Sequence, residues 1–482
     1  MPHARDSLSR RNTAPGSPPV RATIAQGIAA SIRRQIRDGA YRAGEKLPSI
    51  RALMAQLGYS KNSIVDAFEL LVSSGEVEPR RGSGYYVSMQ AAPAVQDTEP
   101  TSVDRALDTV WMLREQLNND PGHLAIGHGI PPGEWLAENR LERYHHKLSR
   151  IGLASAFQYG NRFGYKPLRE LLERKLDYMG IQASPQQIVL TGGANQALDI
   201  IIRGLLRPGD TALVDEPGYY PVYGKLTLHG VKVVGVPRLP DGPDVAALEK
   251  RLAETGARTF FTQSVGQNPT GSDITPAKAH RLLQLAERHD LRIVENDCLA
   301  DLKPISLARL STLDQLQRTI YVGSFTKSVA ASLRVGFLAA SAELADRLAD
   351  VKMLVQVSTS EYCERLLDTV LRSPQYERHA RRLRDRAAQA TEESAQLLTR
   401  LGAEVFCVPS HSLYLWASFP DIPDSLALAR AMLAHRVALA PGVVFGLDAQ
   451  QTSSWCRYNV GYVCDPRFAQ ALRSYRRSRP AG

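Results

Sequence analysis

The sequence predicts a multi-domain chain: a small winged helical module at the N-terminus, then a large α/β body. Three observations carry this. The length, 482 residues, exceeds one ordinary domain of ~150 residues. Apolar residues recur at helical spacing from residue 21 and end in a short strand pair around Gly-Ser-Gly. From about residue 120, apolar strand-like runs alternate with helical segments, the pattern of a mostly parallel sheet covered on both faces.

Composition narrows the class. Hydrophobic residues make up 44% and charged residues 22%, which excludes wholesale disorder. No run approaches the ~20 apolar residues of a membrane span. The leading MPHARDSLSRRNTAPGSPP lacks an apolar core, so it is no secretory signal, and residues 1–20 read as a disordered lead-in. The cysteines (298, 363, 407, 456 and 464) are odd in number and scattered. That argues against a disulfide framework or a structural zinc site, and for a reducing cytoplasm. No metal site is expected. Residues 1–90 hold 13 Lys+Arg against 7 Asp+Glu, a net +6 out of +10 for the chain. A basic terminal module on a milder body points to a polyanion, most simply nucleic acid.

In the first module, Ile24, Ile28, Ile32 and Ile36 place one apolar stripe on a helix ending near Asp38-Gly39. Ser49 can cap a second helix, with Ile50, Leu53, Met54 and Leu57 inward and Gly58 as its stop. Ser60 can cap a third, whose Ile64, Phe68, Leu71 and Val72 face the core. Two short helices around a Gly-containing turn form a helix-turn-helix, and Lys61, Asn62 and Ser63 stand where a recognition helix meets base edges. EVEPRRGSGYYV (76–87) then reads as a β-hairpin wing, with Arg80 and Arg81 placed for phosphate.

On the stretches GAYRAGEKLPSIRALMAQLGYSKNSIVDAFELL and GSGYYV, residues 21–88 resemble the winged helix-turn-helix of the GntR family of bacterial regulators. The resemblance implies double-stranded operator DNA as partner, with Arg51, Ser60, Lys61, Asn62, Ser63, Arg80 and Arg81 as contact candidates. Residues 89–119 read as a linker, regaining a helical pattern over 104–118.

In the body, strands are expected at 188–191, 211–214, 231–236, 259–262, 291–295 and 319–323. Ligands on such sheets sit beyond the carboxyl ends of strands. Gly192-Gly193-Ala194-Asn195 opens a helix there, and a helix start seats phosphate. Residues 259–262 run into SVGQNPTG (264–271), and 319–323 into Ser324-Phe325-Thr326-Lys327, with Arg334 seven residues further on.

The order NPTG, SxxK and then Arg resembles the fold-type-I, pyridoxal 5'-phosphate-dependent aminotransferases over residues 120–482, with a small C-terminal α+β subdomain. Behind a GntR-type module, the combination is similar to the MocR subfamily of transcription regulators. The resemblance makes Lys327 the Schiff-base lysine, and Ser324, Arg334, Ala194 and Asn195 the phosphate ligands. Asn268 becomes the donor to the ring hydroxyl oxygen and Tyr219 the ring-stacking aromatic. Tyr159 would reach the phosphate of a neighbouring subunit, which implies a homodimer. Arg457 would clamp the carboxylate of a small amino effector.

The pattern departs from the family in two places. In 294–299 (VENDCL), Asn296 stands where an acid should meet the pyridine nitrogen, and Leu299 replaces a tyrosine. A one-residue bulge could bring Asp297 there instead, so both are cofactor-binding candidates. Asparagine offers only a neutral hydrogen bond, which favours slow or no transamination. In PSHSLYLW (409–416), His411 and Ser412 replace a usual Gly-Gly. The expected function is a cytoplasmic transcription regulator that senses an amino compound, or the cofactor, by aldimine exchange at Lys327. The alternatives are a working aminotransferase with an appended DNA-binding module, and a regulator that has lost its cofactor.

Overall fold

Capping and periodicity set the first helices. In the computed structural model, Ile24–Arg37 forms α1, Ile50–Leu57 forms α2 and Lys61–Ser73 forms α3. The residues described are 24–37, 41, 44–57, 59–80, 83–88, 122–149, 158–448 and 451–478. The expected lead-in 1–20, the linker 89–119 with its stretch 104–118, Gly58 and Arg81 lie outside them. The chain divides into two compact units, 1–99 and 100–482.

In the first unit, Ile28, Ile32, Leu53, Ile64, Phe68 and Leu71 share one core. The Ser49 hydroxyl accepts from Ala52 N at 3.2 Å, and the Ser60 hydroxyl from Ser63 N at 3.3 Å. Each satisfies an amide that a helix start leaves without a partner. Val77–Arg80 (β1) and Gly84–Val87 (β2) pair antiparallel as the wing. Tyr85 of β2 stacks on Phe68 of α3, with ring centroids 4.1 Å apart, so the wing is fixed to the third helix. Ser60→Ala is expected to destabilise this unit by ~1 kcal/mol, read as faster hydrogen exchange of the α3 amides.

In the second unit, near-continuous apolar runs form strands buried on both faces, as parallel sheets require. In chain order the elements are β3 (Ile188–Thr191), α4 (Ala194–Leu205), β4 (Thr211–Glu216), β5 (Lys232–Leu239) and β6 (Gly242–Pro243). There follow β7 (Thr259–Thr262), β8 (Arg292–Asp297), β9 (Thr319–Ser324), β10 (Gly336–Ala339) and α5 (Ala342–Gln356). They build an 8-stranded sheet in the order β3-β10-β9-β8-β7-β4-β5-β6. Neighbours from β5 through β9 run parallel. β10, which the periodicity does not announce, lies antiparallel between β3 and β9.

The two faces of this sheet have separate cores. Val294, Val214 and Val322 pack with Ile201 of α4 and Leu348 of α5. Ile293, Leu213 and Phe260 pack with Leu248 and Leu282 on the opposite side. Beyond the sheet come α6 (Pro374–Arg400), β11 (Glu404–Val405), β12 (Tyr414–Ser418), β13 (Ala440–Pro441), β14 (Trp455–Asn459) and α7 (Pro466–Ser478). Their 4-stranded antiparallel sheet, ordered β11-β12-β14-β13, is the small α+β subdomain. No helix among the described residues is long and apolar enough to cross a membrane.

Candidate functional site

The carboxyl ends of β4, β7, β8 and β9 converge on a cleft whose lining includes Tyr219, Asn268, Asn296, Cys298, Lys327 and Arg457. The lining residues span 329 positions of sequence, from Gly129 to Arg457, so only the fold assembles them.

Lys327 differs from the other desolvated lysines. Lys303 Nζ donates to Asp273 Oδ2 at 2.8 Å and to Ser410 O at 2.7 Å. Lys352 Nζ donates to Arg162 O at 3.0 Å and to Thr359 Oγ1 at 3.2 Å. Lys327 Nζ donates to none of the described residues and faces the cleft. Burial lowers its pKa to about 8; Arg457 and Arg334 push the same way, and Cys298 opposes them. A desolvated ammonium with no partner is costly, so a far larger share of this amine is neutral near pH 7 than of an ordinary lysine, although the charged form still dominates below about pH 8.

An anion seat lies on the β3 side. Gly193 caps α4 with φ +86, and a Cβ there would sit 2.7 Å from Arg334 Nη2. Glycine therefore lets the guanidinium reach the helix start. Arg334 Nη2 donates to Gly192 O at 3.1 Å, and Ala194 and Asn195 open the helix itself. Partial positive charge at that terminus and the fixed guanidinium both favour an anion. Ser324 is 8% exposed at the end of β9, where it donates to Thr326 Oγ1 at 3.0 Å.

On β8 the structure separates Asn296 from Asp297 by the face each presents. Alternation puts Glu295 and Asp297 on the face opposite Asn296. Glu295 accepts from Ser264 Oγ, and from Leu310 N and Ser311 N at 2.8 Å each. Burial holds its carboxyl above the usual range. Asp297 Oδ2 accepts from Arg309 Nε at 2.7 Å and from the Tyr321 hydroxyl at 3.0 Å. Asp297 as a cofactor contact is corrected accordingly: the strand has no bulge, pairing in unbroken register with β9 through Asp297, so this side chain points away from the cleft. Asn296 lines the cleft.

Arg457 on β14 and Asn268 in the loop after β7 meet across 189 residues, with Nη1 donating to Asn268 Oδ1 at 2.8 Å. Arg457 Nη2 donates to Gly127 O at 2.5 Å, and its Nε is buried without a partner. Tyr219 lines the cleft beside Lys327. Tyr159 is 84% exposed and outside this lining.

Sequence reasoning missed Tyr414, whose hydroxyl donates to Gly129 O at 2.8 Å and whose ring lies 5.0 Å from the Arg457 guanidinium carbon. It also missed Cys298 as a lining residue. The only signal for either was proximity to a quoted motif. His411, in place of a glycine, takes φ +51, the left-handed region that costs a residue with a Cβ energy.

In the first unit, Lys61, Asn62, Arg51 and Arg80 are exposed. The Ser60 and Ser63 hydroxyls lie 2.9 Å apart, bonded to each other. Tyr86 carries Arg80 at 4.3 Å and Lys46 at 6.0 Å from its ring centroid. Lys46 was not among the sequence candidates, because the pairing of residues 44–47 with the wing strand Gly84–Val87 brings it there.

Residues 127–467 match the family described as Aminotransferase class I and II, and residues 24–87 match Bacterial regulatory proteins, gntR family. The chain is 29% identical over 461 residues to the uncharacterized HTH-type transcriptional regulator YdcR of Escherichia coli (strain K12), covering 93% of this chain and 97% of the relative. It is 28% identical over 426 residues to the probable rhizopine catabolism regulatory protein MocR of Rhizobium meliloti, covering 85% and 84%. Among solved structures, α-aminoadipate aminotransferase LysN of Thermus thermophilus, complexed with N-(5'-phosphopyridoxyl)-L-leucine, superposes with a TM-score of 0.68 at 25% identity, covering 77% of this chain and 97% of that one. The chain belongs to the class I and II aminotransferase family and joins that domain to a gntR-family regulatory domain, the pairing found in MocR-type transcriptional regulators.

Proposed function

We propose that this protein is a cytoplasmic, homodimeric regulator of transcription. Residues 21–88 would bind operator DNA, a linker at 89–119 would join them to the body, and residues 120–482 would sense a small amino compound through pyridoxal 5'-phosphate. The observation that carries the sensor reading is Lys327, whose unengaged amine faces the cleft with a pKa of about 8.

The donor set fits the cofactor. Ala194, Asn195, Ser324 and Arg334 would hold its phosphate, and Tyr219 would stack on its ring. Because Asn268 Oδ1 is taken by Arg457, Asn268 Nδ2 remains to donate to the ring hydroxyl oxygen. When bound, the group supplies an aldehyde that an amine captures with loss of water. Lys327 is the resident amine, and an effector amine that displaces it leaves the lysine free to reprotonate. The buried Arg457 would recognise a carboxylate on that effector through paired hydrogen bonds. Tyr159, exposed in the single chain, suits a contact made in the partner subunit's site. A ligand can bias the DNA-binding modules only through different affinities for their arrangements.

The test is a visible-absorbance titration of the cofactor-loaded protein with amino acids and their decarboxylated amines. Amino acids are expected to shift the band at lower concentration. Arg457→Ala should weaken a carboxylate-bearing effector about tenfold to a hundredfold, the loss of charged hydrogen bonds worth ~1.5–3 kcal/mol. Equal responses to both ligand types would refute the clamp. For DNA, Arg80→Ala is expected to lower affinity for all sequences alike and reduce the salt slope by ~1. Lys61→Ala and Asn62→Ala should instead relax sequence discrimination, and gel retardation over a salt series distinguishes the two behaviours. The retained Lys327, Asn268 and Arg457 also favour a second reading, a working aminotransferase, which a 2-oxo acid product assay would reveal.

A further inference from the structure

Among the described residues lining the cleft there is no carboxylate. The two on β8 are committed to the other face of the sheet, Glu295 to Ser264, Leu310 and Ser311 and Asp297 to Arg309 and Tyr321. Around Lys327, Arg457 and Arg334 are cationic and lower its pKa, while the Cys298 thiol opposes them. The lining therefore offers no carboxylate to pair with a positive charge on a pyridine ring.

The polar group that β8 does present is the Asn296 amide, 5% exposed. Its Oδ1 accepts from Cys298 Sγ at 3.0 Å. Its Nδ2 makes no hydrogen bond to a described residue and lies in the lining. Cys298 opens the turn just after β8 and lines the same cleft as the amide. The backbone is held as well: Gln263 Nε2 donates to Asn296 O at 3.2 Å. The side-chain carbonyl is therefore engaged by Cys298 and the backbone carbonyl by Gln263, and the NH₂ is the end left for a ligand.

Building on the proposed cofactor reading, we infer that Asn296 donates a hydrogen bond from Nδ2 to an unprotonated pyridine nitrogen, and that Cys298 is the positioning residue that sets the amide this way round. The polarity is the reverse of a carboxylate–pyridinium pair. There the protein accepts a proton-bearing contact from the ring; here the ring nitrogen's lone pair accepts from the protein. Cys298 suits the task because a thiol can donate, and burial raises its pKa to about 11, which keeps the donor proton in place throughout the physiological range. With the proton on sulfur, Oδ1 is the better partner for it and Nδ2 the better partner for a basic nitrogen. A neutral ring draws electrons less than a pyridinium, while capture of an amine by the aldehyde does not depend on that withdrawal. The site is thus built to take up and release primary amines rather than to break bonds on them.

The experiment is ¹⁵N NMR of the full-length protein loaded with pyridoxal 5'-phosphate labelled at the ring nitrogen. The wild type is expected to give a resonance in the unprotonated pyridine range, unchanged from pH 6 to 8. Asn296→Asp should move it to the pyridinium range. Cys298→Ala should broaden it or make it pH-dependent, and Cys298→Ser, which restores a donor, should recover the wild-type signal. A pyridinium shift in the wild type overturns the inferred polarity while leaving the cofactor reading intact. A Cys298→Ala spectrum superimposable on the wild type overturns the role of Cys298. Failure of the wild type to retain labelled cofactor overturns both this inference and the reading beneath it.

Discussion

Lys327→Ala is expected to abolish borohydride-fixable attachment of pyridoxal 5'-phosphate, leaving only weak, reversible binding through Arg334 and the start of α4. The loss should be complete because no other lysine among the described residues lines the cleft. Lys352 also has a pKa lowered to about 8 by burial, but its amine is already bonded to Arg162 O and Thr359 Oγ1. Lys303 is paired with Asp273. Attachment needs the neutral amine, so in the wild type the rate of cofactor capture should rise about tenfold per pH unit up to about pH 8. Above that it should level off. The sign follows from the shift: a lysine at the ordinary value would still be gaining neutral amine at pH 10. A rate that is flat from pH 6 to 8, or a fixed cofactor in Lys327→Ala, would remove Lys327 from its assigned place.

The other large effect is on stability. Arg309 and Asp297 are each 1% exposed and paired at 2.7 Å on the face of β8 away from the cleft. Removing one partner of a buried pair strands the other charge in a medium that cannot solvate it. Arg309→Ala should therefore cost about 3–5 kcal/mol. Glu295, two residues along the same face, adds like charge and makes the stranded carboxylate worse off. Replacing both partners removes the problem, so Arg309→Met with Asp297→Asn should recover most of the loss. Urea unfolding of the wild type and both variants, followed by tryptophan fluorescence, measures this. A change below ~0.5 kcal/mol in Arg309→Ala would mean that water reaches the pair and that Asp297 is not sealed away from solvent.

Much of this protein is local and was legible for that reason. Ser49 and Ser60 cap helices because a hydroxyl reaches an amide three residues on, wherever the helix ends up. The isoleucine stripe of α1 and the Gly-Ser-Gly wing follow from spacing of a few residues. Lys327 lies just beyond β9 with Arg334 seven residues later, and that short separation fixes both relative to a strand end. The helix start at Ala194 is set by the glycines before it in the same way.

What the sequence left open are relations across a sheet or between distant segments. β8 is buried on both sides, so its residues show no polar alternation to say which face meets the cleft. Alignment placed Asn296 there and a one-residue bulge would have brought Asp297 instead, until the register with β9 and the Arg309 guanidinium separated them. β10 is four residues long and antiparallel, too short for a periodicity to declare its place between β3 and β9. The Arg457–Asn268 bond joins β14 to the loop after β7, and Tyr414 and Cys298 enter the cleft only because the small sheet packs where it does. The sequence by itself determined which elements form and which lysine and arginine follow which strand, since those depend on neighbours along the chain. Tertiary structure alone decided which side chains face the cleft, because that depends on which face of each strand the rest of the protein covers.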